Sequence, residues 1–267
     1  MSDSIYTLHV GNTPLLVSLP HVGTDIPDYI RSRLVDRALH TEDTDWHLTR
    51  LYEFVRALGA SVIAPRYSRY VIDLNRPPDN TPMYAGASNT DLCPTSFFTG
   101  EPLYREGMAP DAAEVRRRRE HYWQPYHHAL RLQLDRQRAE FGYAMLWDGH
   151  SIRSEIPWLF DGKLPDLNLG TVNAESCALS VRLLLSKTLS AHAEFTHAVD
   201  GRFKGGYIAR HYGKPSERIH AVQMEMCQSL YMQETAPFAY NEFKAEIVTP
   251  VLREMIEQML AWRPDEE

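Results

Sequence analysis

Short apolar runs and longer stretches with helix-type spacing alternate along the chain. Leu15-Leu-Val-Ser-Leu19 is closed by Pro20, His21 and Gly23 and predicts a buried strand entering a turn. Thr41 caps a predicted helix in which Trp46, Leu51, Phe54, Val55 and Leu58 recur near helical spacing, and Gly59 ends it. Ala60–Ala64 and Tyr70–Leu74 predict two further strands. Residues 76–110 are rich in Pro, Gly, Asn, Asp and Thr, a long loop of the kind that is commonly functional. Asp111–Phe141 predicts one long helix, or two broken at Pro125.

Tyr143–Trp147 predicts a buried strand, Ile152–Asn173 a loop, and Ala174–His192 a helix. Ile219–Met226 alternates, carries β-branched residues, and predicts a strand ending near Glu225. A last helix is predicted from Pro237 to about Trp262. Strands alternating with helices, without a repeat or linker, predict one α/β domain over residues 1–267 with a mainly parallel sheet.

Polar clusters follow three of these runs. Asp148-Gly-His-Ser151 follows one strand, Asp73-Leu-Asn-Arg76 ends another apolar run, and His21 follows the first strand. In open α/β sheets such strand ends hold ligands. Catalytic zinc takes three His or carboxylate ligands and keeps one position open. His21 and His150 are candidate ligands. Glu42, Asp43 and Asp45 offer the carboxylate, with Asp45 preferred, although acids are also expected in a first helical turn. Glu225, inside an apolar run, is the candidate proton acceptor.

Arg76 presents a planar fork suited to a carboxylate, and Arg210 with His211 offers a second positive contact on a glycine-bounded loop. Ser151 suits either a turn or the orientation of its histidine neighbour. Asp43 and His47 stand at i,i+4, an outside alternative for a metal. Arg116–Arg119 predicts a solvated helix face, and His121, His127 and His128 predict packing or surface histidines.

Composition narrows the classes. The formal charge of −7 and pI near 5.9 argue against nucleic-acid or anionic-membrane partners, so an acidic ligand would need a local island of arginines. Cys93, Cys177 and Cys227 lack CxxC spacing, which fits a reducing compartment. The N-terminus lacks the pattern of a signal peptide, and no apolar run approaches about 20 residues, so a soluble, cytoplasmic protein is expected. The sequence does not specify an oligomeric state.

Taken together, Leu16-Val-Ser-Leu-Pro-His-Val-Gly23, Asp43-Thr-Asp-Trp-His47, Tyr67–Pro77, Asp148–Ser154, Asn168-Leu-Gly-Thr171, Gly201–Ile208 and Arg210-His-Tyr-Gly213 resemble the N-formylglutamate deformylase (amidohydrolase) family over nearly the whole chain. The Asp-Leu-Asn-Arg and Gly-His-Ser segments are also distantly similar to zinc carboxypeptidases. The resemblance implies a three-layer α/β/α fold with a mixed, mainly parallel sheet, and hydrolysis of N-formyl-L-glutamate in histidine degradation. It implies one divalent metal on His21, Asp45 and His150, most simply zinc, with cobalt, manganese or nickel open. Glu225 would be the general base. Asn75 and Arg76 would hold the glutamate end, with Arg210 and His211 as further substrate contacts. A zinc amidase for another N-acyl amino acid, a carboxypeptidase-like enzyme and a non-enzymatic acidic-ligand binder are the alternatives. The HxxE motif of carboxypeptidases is absent, because Thr24 stands third after His21; Asp25, one position further, is another possible carboxylate.

Overall fold

The computed structural model describes residues 4–83 and 90–264. Seven strands form one mixed sheet: β1 (Tyr6–His9), β2 (Leu15–Ser18), β3 (Ser61–Pro65), β4 (Ala144–Ile152), β5 (Leu167–Gly170), β6 (His197–Val199) and β7 (Ile219–Cys227). Their order across the sheet is β1-β3-β2-β4-β7-β5-β6. The central β3-β2-β4-β7 block is parallel, whereas β1 runs antiparallel to β3 and β5 antiparallel to β7. The mixed, mainly parallel three-layer architecture is as expected.

Alternation along the central strands divides the core. Leu15, Val17, Met145, Trp147, Val222 and Met224 pack against helices at 179–191 and 242–261. Leu16, Leu146, Ile219 and Ala221 face the helix at 124–141 and the short helix at 207–212. Both faces are therefore covered, which explains why these strands read as nearly continuous apolar runs.

Several elements differ from expectation. The strand predicted at Tyr143–Trp147 continues as β4 through Asp148, His150 and Ser151, so the polar cluster lies within a fully buried strand. Tyr70–Leu74 is a buried series of turns rather than a strand. The helix predicted from Thr41 starts only at Leu48, after a turn in which Thr41 and His47 both take positive φ. It is split into Leu48–Leu51 and Phe54–Ala57.

The helix predicted from Ala174 begins at Leu179. The last helix begins after the Asn241 cap, whose Oδ1 accepts from Lys244 N at 3.0 Å, and Pro237 lies outside it in a cis peptide. The 111–141 stretch is two α-helical segments, Ala112–Arg118 and Gln124–Phe141, joined by a π-helical turn at Arg119–Trp123. Its arginine run is not uniformly solvated: Arg118 is buried between Glu114 and the Tyr104 hydroxyl. Among the described residues no helix is long and apolar enough to cross a membrane, and all three cysteines are free and buried.

Candidate metal and substrate site

The carboxyl ends of β2, β4 and β7 converge on one cavity of about 170 Å³. Parallel pairing sets Asp148 beside Gln223 and His150 beside Glu225, so these four side chains project from one face. His21 lies three residues past β2, and its carbonyl accepts from Asp45 N at 3.0 Å. That bond ties the 41–47 turn against the strand end and delivers Asp45 to the two histidines.

Three atoms converge there. His150 Nδ1 lies 3.1 Å from His21 Nδ1 and 3.2 Å from Asp45 Oδ2, while His21 Nδ1 lies 3.7 Å from the same oxygen. The opposite face of each ring is bound to a carboxylate. His21 Nε2 donates to Asp73 Oδ1 at 2.7 Å, and His150 Nε2 donates to Asp148 Oδ2 at 3.0 Å. Arg69, which can only donate, places Nη1 3.3 Å from His21 Nδ1, so that nitrogen presents a lone pair to the cavity.

These residues fit a divalent cation. Metal–ligand bonds of about 2.0–2.1 Å in tetrahedral geometry put ligand atoms roughly 3.3 Å apart, close to the separations here. The carboxylate behind each imidazole is the arrangement that orients metal-binding histidines. Electrostatics agree. Burial opposes charge on His150, yet Asp148 and Asp45 raise its pKa well above the ordinary value. Burial likewise opposes the Asp45 carboxylate, and the adjoining His150 and His21 hold its pKa well below the usual range. The site attracts positive charge.

The other carboxylate candidates are engaged elsewhere. Asp43 accepts from Phe98 N at 3.0 Å and the Tyr70 hydroxyl at 2.8 Å. Glu42 pairs with Arg37 and Arg153. Asp25 pairs with Arg66 at 2.6 Å and is 47% exposed. His47 Nε2 donates to Phe238 O at 2.7 Å, away from the Phe98 and Tyr70 partners that hold Asp43. Ser151 has a positioning part: its N–H donates to Asp45 Oδ2 at 3.2 Å, and its hydroxyl accepts from Tyr231 at 2.7 Å.

Glu225 lines the cavity beside the histidines. Burial, with Asp45 and Asp148 adding like charge, pushes its pKa up to about 8, while His150 and Arg69 pull the other way. A buried carboxyl poised near neutrality is suited to accepting and returning a proton.

Arginines supply the expected positive island, but only partly the expected ones. Arg69, Arg76 and Arg202 line the cavity together with an apolar set that includes Phe98, Ile152, Phe160 and Phe203, and the Arg69 and Arg202 guanidinium groups lie over the Phe98 and Phe160 rings. Arg76 Nη2 donates to the Thr90 hydroxyl at 2.6 Å. Asn75 is buried in the scaffold. Its Oδ1 accepts from Ile208 N at 2.8 Å, which turns its NH₂ towards Asp148 Oδ2 at 3.3 Å, beside His150 Nε2.

Arg210 and His211 are not among the cavity-lining residues. The helix at 207–212 directs them to the exposed surface, where Arg210 Nε donates to Gly205 O and His211 stacks on Tyr207. Sequence reasoning gave no role to Arg69 or Arg202, though both lie in motifs that carried the resemblance, Tyr67–Pro77 and Gly201–Ile208.

A family model for N-formylglutamate amidohydrolase matches residues 13–232. An N-formylglutamate deformylase of Pseudomonas putida is 52% identical over 260 residues, covering 97% of each chain. One from Pseudomonas aeruginosa PAO1 is 50% identical over 260 residues, again covering 97% of each. The crystal structure of N-formylglutamate amidohydrolase from Ralstonia eutropha JMP134 superposes with a TM-score of 0.74 at 26% identity, covering 96% of this chain and 99% of that one. A gene product of Agrobacterium tumefaciens shares the fold, with a TM-score of 0.74 at 16% identity over 96% of this chain and 95% of that one. The chain belongs to the N-formylglutamate amidohydrolase family.

Proposed function

We propose that this enzyme hydrolyses the formyl amide of N-formyl-L-glutamate to L-glutamate and formate, using a divalent metal held by His21, Asp45 and His150. The observation that carries the proposal is the convergence of these three ligands beside Glu225, in a cavity whose cationic groups are Arg69, Arg76 and Arg202. The names of the two curated relatives supply the substrate. Histidine degradation is the route in which such an activity would serve.

Each part has a role set by its position. Arg76 and Arg202 bind the two substrate carboxylates and aim the formyl group at the histidines. Holding a substrate in this way can contribute several kcal/mol to lowering the barrier. When bound, the cation, most simply zinc, supplies polarisation of the carbonyl and acidification of water towards a pKa of about 7. Glu225 takes the proton of the attacking water on its carboxylate and returns it to the amide nitrogen as the C–N bond breaks. Asp73 and Asp148 keep both imidazoles turned with Nδ1 inward. The wall of Phe98, Ile152, Phe160 and Phe203 keeps bulk water from the reacting carbonyl.

The test compares release of free amine from N-formyl-L-glutamate, N-acetyl-L-glutamate and N-formyl-4-aminobutyrate, which lacks the α-carboxylate. N-formylglutamate should have the highest kcat/KM by at least about tenfold over each. Equal or better turnover of the acetyl compound would make the enzyme an amidase for a larger acyl group.

A further inference from the structure

Residues 66–83 of the described chain form neither strand nor helix, yet they carry Asp73, Asn75 and Arg76 into the site. A segment without ladder partners must satisfy its carbonyls elsewhere. Four of them are met by side chains from one stretch of helix. Arg118 Nη1 donates to Val71 O at 3.2 Å, and His127 Nε2 donates to Leu74 O at 2.9 Å. Trp123 Nε1 donates to Arg76 O at 3.0 Å, and Arg119 Nη1 donates to Pro78 O at 3.3 Å.

The π-helical turn makes this possible. Arg118 and His127 are nine residues apart, about two and a half turns of α-helix, which would send them to opposite faces. The wider turn at Arg119–Trp123 takes up the additional residue and brings all four donors to the same side. Pro125 favours the irregularity, because it has no N–H to offer the His121 carbonyl one turn earlier. Single π turns inside helices recur at functional sites. Packing fixes the donors: the Trp123 and His127 rings stack with centroids 3.7 Å apart, and His127 stacks again on Tyr212.

We infer that the π turn is a positioning device for the reaction: Arg118, Arg119, Trp123 and His127 hold the 71–78 backbone so that Arg76 meets the substrate carboxylate and Asp73 meets His21. Trp123 is the most direct of the four, because it holds the carbonyl of Arg76 itself. None of them touches the substrate. The kinetic part of this inference rests on the proposed deformylase reading, whereas the structural part does not.

The experiment is a double-mutant cycle of Trp123→Phe with Arg76→Ala, which removes the indole N–H and keeps an aromatic ring on His127. In the wild-type background Trp123→Phe should raise KM for N-formylglutamate by about tenfold, with kcat within about threefold and bound metal unchanged. In the Arg76→Ala background it should change KM by less than about twofold. Hydrogen exchange at residues 71–78 should accelerate by at least about tenfold in Trp123→Phe, with the β4 and β7 amides unaffected. Arg119→Ala, which loses only the Pro78 bond, should shift both readouts less and in the same direction.

An equal KM increase in both backgrounds, or unaltered exchange at 71–78, would overturn the inference. Failure of the wild type to hydrolyse N-formylglutamate would overturn the functional reading instead, and the exchange data would still decide whether Trp123 holds the segment.

Discussion

His21 Nε2 donates to Asp73 Oδ1 across 2.7 Å, and the other oxygen of Asp73 accepts from Arg69 Nη2 at 2.6 Å. Burial opposes the charge on Asp73, but His21, Arg69 and Arg76 hold its pKa well below the usual carboxylate range. The imidazole is thereby locked with its lone pair facing Asp45 and His150.

Removing this orienting carboxylate should weaken metal binding without removing a ligand. Asp73→Ala is expected to lower affinity about 10- to 100-fold. A competition titration against a chromogenic chelator measures it, and activity should return at high zinc. Unchanged affinity would mean that Asp73 serves only the fold.

Glu225→Gln keeps the shape of the side chain and removes its capacity to accept a proton. A general base contributes typically 10² to 10⁴ in rate, so kcat should fall by about that factor while metal content stays at the wild-type level. A loss below about tenfold would assign the proton transfer to another group.

The same residue makes a prediction about stability. With no cation in the site, burial pushes the Glu225 pKa up to about 8, against an ordinary value of 4.5. The folded chain holds that proton more tightly than the unfolded chain does. Its contribution is therefore complete below about pH 4.5 and is lost as pH rises through about 8. In chelated protein, urea unfolding from pH 5 to 8.5 should show the wild type losing at least about 1 kcal/mol relative to Glu225→Gln. Parallel curves for the two proteins would contradict the assigned pKa.

Substrate recognition separates the arginines. Charge-assisted bonds of this kind are worth about 1.5–3 kcal/mol, so Arg202→Ala should raise KM about 10- to 100-fold. Arg210, outside the cavity, should matter less than about twofold when changed to Ala. The reverse order, measured by steady-state kinetics, would return Arg210 to the substrate site.

The central architecture was legible because β2, β3, β4 and β7 are buried on both faces and therefore stand out as apolar runs. The edge strands β1 and β6 and the neighbouring β5 have only four, three and four residues, too few for a periodic signal, and they were not foreseen. Tyr70–Ile72 misled for a related reason. Its side chains are buried like a strand's, but the carbonyls of Val71 and of Leu74 just beyond it are met by helix side chains, a long-range arrangement that local pattern does not encode.

At the site, His21, His150 and Glu225 were nominated from polar residues placed against apolar runs and Asp45 from an acidic cluster at a predicted helix start, and the structure brings the four together. Asp45 was preferred over Glu42 and Asp43 without a local signal to decide it, because the Asp45 N–H to His21 carbonyl bond that selects it joins residues 24 apart. Arg202 lies far along the chain from Arg76 and reaches the cavity only through the loop before the helix at 207–212.

The most direct test of the account is glutamate release from N-formyl-L-glutamate by protein first chelated and then reconstituted with zinc, with His150→Ala in parallel. The account predicts that chelation abolishes turnover, that zinc restores it, and that His150→Ala stays inactive after zinc is added. Turnover that survives chelation, or that persists in His150→Ala, would contradict the metal centre on which the account depends.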